Sequence, residues 1–185
     1  DEVVPGWARG FESRYPEAKV AKEDADALFG LAKWINDLYI QRYGTRKCAS
    51  CGLEFTVHAG DTCPVCEAPG APLIIEPDAD NAIQKFRDEY QKYLDPEFTM
   101  AYYLITEVLL MADNRVKNMM IATWGKEHRS WVTDAGEERS SFDYIWYPIF
   151  YDMDTMLGLD NIGYVNKHYY DEDTTETVYN GDEIL

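Results

Sequence analysis

Four cysteines lie within nineteen residues and are spaced as metal ligands. Cys48 and Cys51 form one Cys-x2-Cys pair, eleven residues follow, and Cys63 and Cys66 form the second pair. A tight turn lets the two thiolates of a pair approach one ion, and two such turns facing each other across a hairpin supply a tetrahedral site. We therefore predict a four-cysteine zinc ribbon over residues 46–70. The zinc is expected to be structural, because four thiolates leave no open coordination position.

Alternatives remain open for this group of cysteines. Two disulfides or four free thiols would fit the same spacing, although we expect no secretion signal that would favour disulfides. Iron is the alternative metal, since the turn Cys63-Pro-Val-Cys66 also resembles the knuckles of rubredoxin-like sites. Zinc ribbons often bind nucleic acid, but loop 52–61 contains no Lys or Arg. His58, in the same loop, is expected to be a surface residue.

A second group of residues has the types and spacing of phosphotransfer chemistry. Asp113 lies five residues before Asn118, and a predicted strand leads to Asp152 and Asp154. An Asp can orient an acceptor hydroxyl, while an Asn and a later Asp hold the Mg²⁺ bound to ATP. The alternative role is architectural, because buried acids also accept hydrogen bonds from loop N–H groups. No Gly-rich phosphate loop precedes the segment and Ala112 stands before Asp113, so we expect catalysis to be absent.

Three helices are predicted to position these groups. Apolar residues recur at three- and four-residue spacing from Glu23 until Gly44, which is expected to end the first helix. The same spacing predicts a second helix over 79–94. Asp95-Pro96 ends that helix and begins a third. The third helix is apolar on most faces, so we expect it to be largely buried behind the loop that contains Asp113.

Strands are predicted on the far side of that loop. Residues 119–124 form a short apolar strand that Gly125 is expected to end. The polar segment 126–143 contains a hairpin turn at 134–136. A return strand over 144–151 then leads directly to the two acids at its end. Together with the helices, these strands predict an α+β fold.

The chain divides into four predicted segments. Residues 1–45 hold an irregular lead-in and the first helix of the main domain, and 46–70 hold the inserted zinc ribbon. Residues 71–165 complete the main α+β domain. Residues 166–185 form an acidic tail that we expect to extend toward solvent or a partner.

Charge and hydropathy limit the possible partners. The 185 residues carry 17 basic and 34 acidic side chains, a formal net charge of -17. Such a surface repels a phosphate backbone, so we expect no nucleic-acid partner and rank a nucleic-acid-binding zinc ribbon last. No apolar run approaches the ~20 residues of a membrane helix. The sequence opens without Met, so we expect it to be a piece of a longer protein.

The order of these elements resembles the C-lobe of kinases. A buried helix, an Asp-x4-Asn loop, a strand pair and Asp-x-Asp followed by Gly are similar to the CotH-like kinase family. The resemblance implies a kinase C-lobe-like helical core with a short antiparallel sheet. It also implies Mg-ATP phosphotransfer as an alternative function, with Asp113 orienting the acceptor hydroxyl and Asn118, Asp152 and Asp154 holding Mg²⁺.

Several short motifs of the sequence are also similar to those of large virion proteins of tailed phages, including crAss-like phages. The similarity covers roughly residues 10–45 and 97–165 and rests on Met111-Ala-Asp-Asn114, Trp146-Tyr-Pro and Phe150-Tyr-Asp-Met-Asp-Thr155. It implies a structural component of a tail or portal-adjacent assembly, made in the host cytoplasm and located in the virion. The implied partners are other virion proteins, in a homo-oligomeric ring. On this interpretation the four acidic-loop residues are inherited scaffold.

Overall fold

The chain has a mixed α+β fold. The computed structural model describes residues 3–5, 7–8, 11–12, 19–56, 60–109, 111, 119–151, 153 and 156 of the 185. Over these residues there are three α-helices: α1 Lys22–Tyr43, α2 Ala79–Glu89 and α3 Pro96–Val108. The strands are β1 Val3–Pro5, β2 Trp7–Ala8, β3 Phe11–Glu12, β4 Lys19–Ala21, β5 Thr45–Lys47, β6 Glu54–Phe55, β7 Leu73–Ile75, β8 Met120–Val132 and β9 Glu138–Ile149. The predicted α+β class is confirmed.

Two compact units make up the chain. The first comprises Asp1–Glu89 together with Val132–Glu137, and the second comprises Tyr90–Trp131 together with Glu138–Leu185. None of the helices that the structure describes is long and apolar enough to cross a membrane.

Short strands precede the first helix of the first unit. β1 pairs antiparallel with β4, and β2 pairs antiparallel with β3. These pairs differ from the irregular lead-in that Pro and Gly residues predicted. Strands of two or three residues are too short to show the alternation that identifies a strand in a sequence.

Helix α1 forms the core of the first unit. Glu23 and Asp24 lie in its first turn, where the helix dipole favours negative charge. Its buried face consists of Leu31, Trp34 and Leu38. Helix α2 packs against it, with the Trp34 ring stacked on Phe86 at 5.8 Å and the Trp34 Nε1–H donating to the Glu89 carboxylate at 2.8 Å.

Gly44 ends α1 as predicted. Its φ is 74° and its N–H donates to the Ile40 carbonyl at 2.7 Å. A Cβ on this residue would collide with the Ile75 carbonyl oxygen of β7. The position therefore requires glycine twice over, because of the left-handed backbone and the close approach of a strand.

Helix α3 of the second unit begins at Asp95-Pro96, as predicted. The Asp95 carboxylate accepts a hydrogen bond from the Phe98 N–H at 2.9 Å, and Pro96 occupies the first helical position. Both features favour a helix start. The segment before the helix joins β9, since the Asp95 N–H donates to the Trp146 carbonyl at 3.0 Å.

The burial predicted for α3 is wrong. Only Tyr102 and Thr106 are buried on it. Met100, Leu104 and Val108 are exposed, although all three are apolar. The spacing of apolar residues established that a helix forms, but spacing carries no information about which part of the chain covers each face.

Strands β8 and β9 are longer than predicted. β8 continues through Gly125, whose φ is 102°, instead of ending there. The Thr123 side chain supports this irregularity, because its hydroxyl accepts a hydrogen bond from the Gly125 N–H at 3.1 Å. β9 begins at Glu138 and not at 144. The predicted turn at 134–136 is confirmed, with Gly136 at a φ of 81°.

Candidate metal centre

A three-stranded sheet carries the cysteines. β5 lies in its centre and pairs antiparallel with β6 and with β7. Cys48 follows β5 directly, and Cys63 lies in the connection between β6 and β7. This arrangement places one Cys-x2-Cys turn at the end of β5 and the other after β6. The expected ribbon-like insertion is therefore present as a small sheet with two turns.

The two Cys-x2-Cys turns have the same hydrogen-bond pattern. In the first, the Cys48 N–H donates to the Leu53 carbonyl at 2.8 Å and the Gly52 N–H donates to the Cys48 carbonyl at 2.9 Å. In the second, the Cys63 N–H donates to the Ala68 carbonyl at 2.9 Å and the Glu67 N–H donates to the Cys63 carbonyl at 3.0 Å. The backbone thus presents both cysteine pairs in one repeated geometry.

The repeat also explains an unusual backbone conformation. Gly52 and Glu67 occupy the equivalent position of the two turns, and both have positive φ, 75° and 57° respectively. Glycine adopts this region without cost, whereas a residue with a Cβ is strained there. Glu67 is the only described residue other than glycine with a positive φ. The spacing predicted the turns, but it did not reveal that Glu67 carries this strain.

The four sulfur atoms converge on one point. The Sγ atoms of Cys48 and Cys66 are 3.5 Å apart, and those of Cys51 and Cys63 are 3.6 Å apart. All four lie within 4.8 Å of one another. A tetrahedral ion with metal–sulfur bonds of ~2.3 Å requires sulfur separations of about 3.8 Å. The residues therefore fit a tetrahedral metal ion, and the prediction that these four residues come together is confirmed.

None of the four cysteines forms a disulfide. The shortest sulfur separations exceed the ~2.05 Å of a disulfide bond by more than about 1 Å. A tetrahedral set of four thiolates suits zinc or iron. The donor set therefore identifies a class of metal ion.

The module has little core apart from the ligands themselves. Its buried cluster consists of Cys48, Phe55, Cys63 and Ala71. The second cysteine of each pair is exposed. Two of the four buried residues are thus metal ligands, and Phe55 is the only large side chain among them. A core this small stabilises the module only weakly, and a bound metal ion would add to that stability.

The thiols affect one another's protonation. The pKa of Cys48 falls from 9.0 to about 6, mainly because the Cys51 N–H donates a hydrogen bond to its sulfur. The Ala68 N–H favours the Cys66 thiolate, but the neighbouring sulfurs of Cys48 and Cys63 outweigh it and raise the pKa of Cys66 to about 12. A cation bound among the four sulfurs would favour the thiolate form of each cysteine.

The acidic-loop residues lie outside the described part of the chain. This holds for Asp113, Asn118, Asp152 and Asp154, and for His58. The elements expected on either side are described: α3 ends at Val108, and β9 ends at Ile149. His128 is exposed, and its ring stacks on Phe142 with centroids 4.4 Å apart.

A polar cluster in the second unit escaped the sequence reasoning. Arg129 donates to the Asp95 carboxylate at 2.5 Å and to the Tyr147 hydroxyl at 3.2 Å. The Tyr147 hydroxyl donates to Glu127 at 2.8 Å. Burial alone would lower the pKa of Arg129, but the hydrogen bond and charge of Asp95 outweigh it and raise that pKa. The cluster fixes the start of α3 to both strands.

The sequence pattern Glu127-x-Arg129 could have predicted part of this polar cluster. Residues two apart on a strand share a face, and Asp95 was already identified as the residue before a helix. Asp95 and Glu127 are 32 positions apart in the sequence. Only the fold brings them together.

Comparison with known proteins gives no match to a family model, a curated protein or a solved structure.

Proposed function

We propose that this protein is a structural component of a larger assembly and that its four-cysteine module holds a structural zinc ion. The observation that carries the proposal is the closed set of four sulfur atoms within 4.8 Å of one another. Four thiolates fill the coordination sphere of zinc and leave no position for a water or a substrate. The metal's contribution is then to fold the module, which has only a small core of its own.

The setting we propose is the particle of a tailed phage, in a tail or portal-adjacent assembly. The similarity of its short sequence motifs to those of large virion proteins supports this setting. The partners would be other virion proteins, including further copies of the chain, and the protein would be made in the host cytoplasm. The second unit supports a role in assembly, because exposed apolar side chains of the kind found on α3 mark interaction surfaces.

Metal analysis tests the structural zinc. The purified 185-residue chain is expected to contain one zinc ion, and a strong chelator is expected to make all four thiols reactive. Folded protein that contains no metal, with four reactive thiols from the start, would contradict the proposal. Immunogold labelling of purified particles tests the setting: label on the tail or neck supports it, and label found only on unassembled protein opposes it.

An atypical CotH-like kinase is the second candidate function. Its support is the order of elements along the chain, since α3 precedes Asp113 and β9 precedes Asp152, as in the order that resembles this family. Thermal melting with Mg-ATP separates the two functions. A scaffold is expected to melt at the same temperature with and without Mg-ATP. A rise that is lost in Asp152→Ala would establish nucleotide binding and overturn the purely structural role.

A further inference from the structure

Each Cys-x2-Cys turn of the metal centre has one buried and one exposed cysteine. Cys48 and Cys63, the first cysteine of each turn, are buried. Cys51 and Cys66, the second cysteine of each turn, are exposed. The two residues that separate the cysteines of each turn are exposed as well. A reagent dissolved in water therefore reaches the second sulfur of each turn before the first.

Each exposed sulfur lies close to a buried sulfur of the opposite turn. The Sγ atom of Cys51 is 3.6 Å from that of Cys63, and the Sγ atom of Cys66 is 3.5 Å from that of Cys48. To close either gap to the ~2.05 Å of a disulfide bond, each sulfur moves by only roughly 0.7 Å. The site thus contains two pairs of sulfurs, and each pair joins an exposed cysteine to a buried one across the module.

Hydroperoxides are the class of reagent that reacts with sulfurs placed in this way. The thiolate is the nucleophilic form of cysteine, and binding to a metal ion requires that form. The sulfur of Cys51 or Cys66 attacks one oxygen of hydrogen peroxide, so that an S–O bond forms and the O–O bond breaks. Hydroxide leaves and takes up a proton as water. Two electrons have then passed from the sulfur to the peroxide, and the exposed cysteine is a sulfenic acid.

The buried cysteine of the pair completes the reaction. Its thiolate attacks the sulfenic sulfur, the S–S bond forms, and the S–O bond breaks. The hydroxide that leaves takes up a second proton as water. Each disulfide therefore consumes one hydrogen peroxide and two protons and produces two molecules of water. A disulfide has no thiolate charge with which to hold a zinc ion, so oxidation of both pairs releases the metal.

We infer that the metal centre is also an oxidation site, at which a hydroperoxide converts the four thiolates into the disulfides Cys48–Cys66 and Cys51–Cys63. This rests on the proposed structural zinc and adds a second state to it. Both disulfides join one turn to the other, so they hold the module together after the zinc has left. In the proposed setting, zinc is bound in the reducing host cytoplasm, and the disulfides form once the particle is outside the cell.

Treatment of the reduced, zinc-loaded chain with hydrogen peroxide tests the oxidation site. We expect one zinc ion per chain to be released to a chromophoric chelator as the four thiols disappear. Met100 is 58% exposed, and its conversion to the sulfoxide shows that the peroxide dose was sufficient. A chain that keeps its zinc after Met100 has been oxidised would refute the inference.

Mass spectrometry of unreduced peptides identifies the disulfides. Fragmentation of the backbone inside each turn is expected to show the Cys48–Cys66 and Cys51–Cys63 bonds. Disulfides within a turn, which join position 48 to 51 and position 63 to 66, would refute the inference. So would bonds that join the two exposed cysteines to each other and the two buried cysteines to each other.

A matched pair of variants, each held in excess zinc, tests which sulfur reacts first. Cys63→Ser leaves the exposed Cys51 without its partner, so we expect the sulfenic acid of Cys51 to persist and to be trapped by dimedone. Cys51→Ser removes a ligand from the same pair but leaves the buried Cys63, and we expect no dimedone label there. In the unmodified chain, limiting peroxide with dimedone is expected to label Cys51 and Cys66. Label on Cys48 or Cys63 in that chain would refute the assigned order.

Failure of the oxidation site is distinct from failure of the proposed function. Zinc that stays bound under peroxide, or disulfides with another pairing, would overturn the oxidation site and leave the structural zinc in place. A reduced, folded chain that contains no zinc before any peroxide is added would overturn both.

Discussion

Replacement of Cys63 by serine is the sharpest single perturbation of the metal centre. The Cys63 side chain is fully buried, and its sulfur lies 3.6 Å from that of Cys51. Structural zinc sites in small peptides contribute roughly 10–16 kcal/mol of apparent binding free energy. Shared among four equivalent ligands, this is about 2.5–4 kcal/mol per thiolate. Cys63→Ser is therefore expected to weaken zinc binding by about two to three orders of magnitude.

Competition with a chromophoric chelator measures this loss directly. Val65→Ala provides the matched control, because Val65 lies in the same turn, is exposed and is not a ligand. Its effect is expected to stay within about 0.5 kcal/mol. No tryptophan lies within residues 46–72, so tryptophan emission reports on the rest of the chain. We expect that emission to be unchanged in Cys63→Ser while the remaining thiols become reactive.

Two results would refute this reasoning. Zinc affinity in Cys63→Ser equal to that of the unmodified chain would show that Cys63 is not a ligand. Protection of all four thiols in the metal-free chain would show that the module folds without metal. In that case the small buried cluster around Phe55 would be sufficient by itself.

Three further predictions concern the strained turn and the polar cluster. Glu67→Gly is expected to stabilise the zinc-loaded module by about 1 kcal/mol, because glycine relieves the left-handed strain that Gly52 avoids in the matching turn; a lower thermal midpoint would contradict this. Asp95→Ala removes both the cap of α3 and the partner of Arg129, and is expected to lower the free energy of unfolding in urea by about 2–4 kcal/mol. A decrease below about 0.5 kcal/mol would show that the Asp95–Arg129 pair does not stabilise the fold. Burial, then the hydrogen bond to Glu127, raises the pKa of Tyr147 above 10.0. The stability it contributes is thus present below about pH 10 and is lost as pH rises through the folded-state pKa. Tyr147→Phe is expected to abolish that alkaline loss, and an unchanged loss would exclude Tyr147 as its source.

Local signals in the sequence predicted the cysteine cluster, the end of α1 and the start of α3. The second helix, predicted over 79–94, instead ends at Glu89. The Cys-x2-Cys spacing determines its own turn, because hydrogen bonds between residues four and five positions apart close it. Helix α1 ends at Gly44 and helix α3 begins at Asp95-Pro96. These residues also determine the backbone conformation locally. Each of these features depends on a few neighbouring residues, so a single sequence was enough.

Features that depend on distant residues could not be predicted in this way. The apolar sequence of α3 predicted burial, yet no described part of the chain covers Leu104 and Val108. The link between Asp95 and Arg129 joins residues 34 positions apart. In each case the outcome depends on packing partners, which local spacing does not specify.

X-ray absorption at the zinc edge, combined with metal content, tests the central claim most directly. We predict one zinc per chain with four sulfur neighbours at ~2.3 Å and no oxygen or nitrogen neighbour. Folded protein with no zinc, or a zinc ion with fewer than four sulfur ligands and a bound water, would contradict a closed structural site.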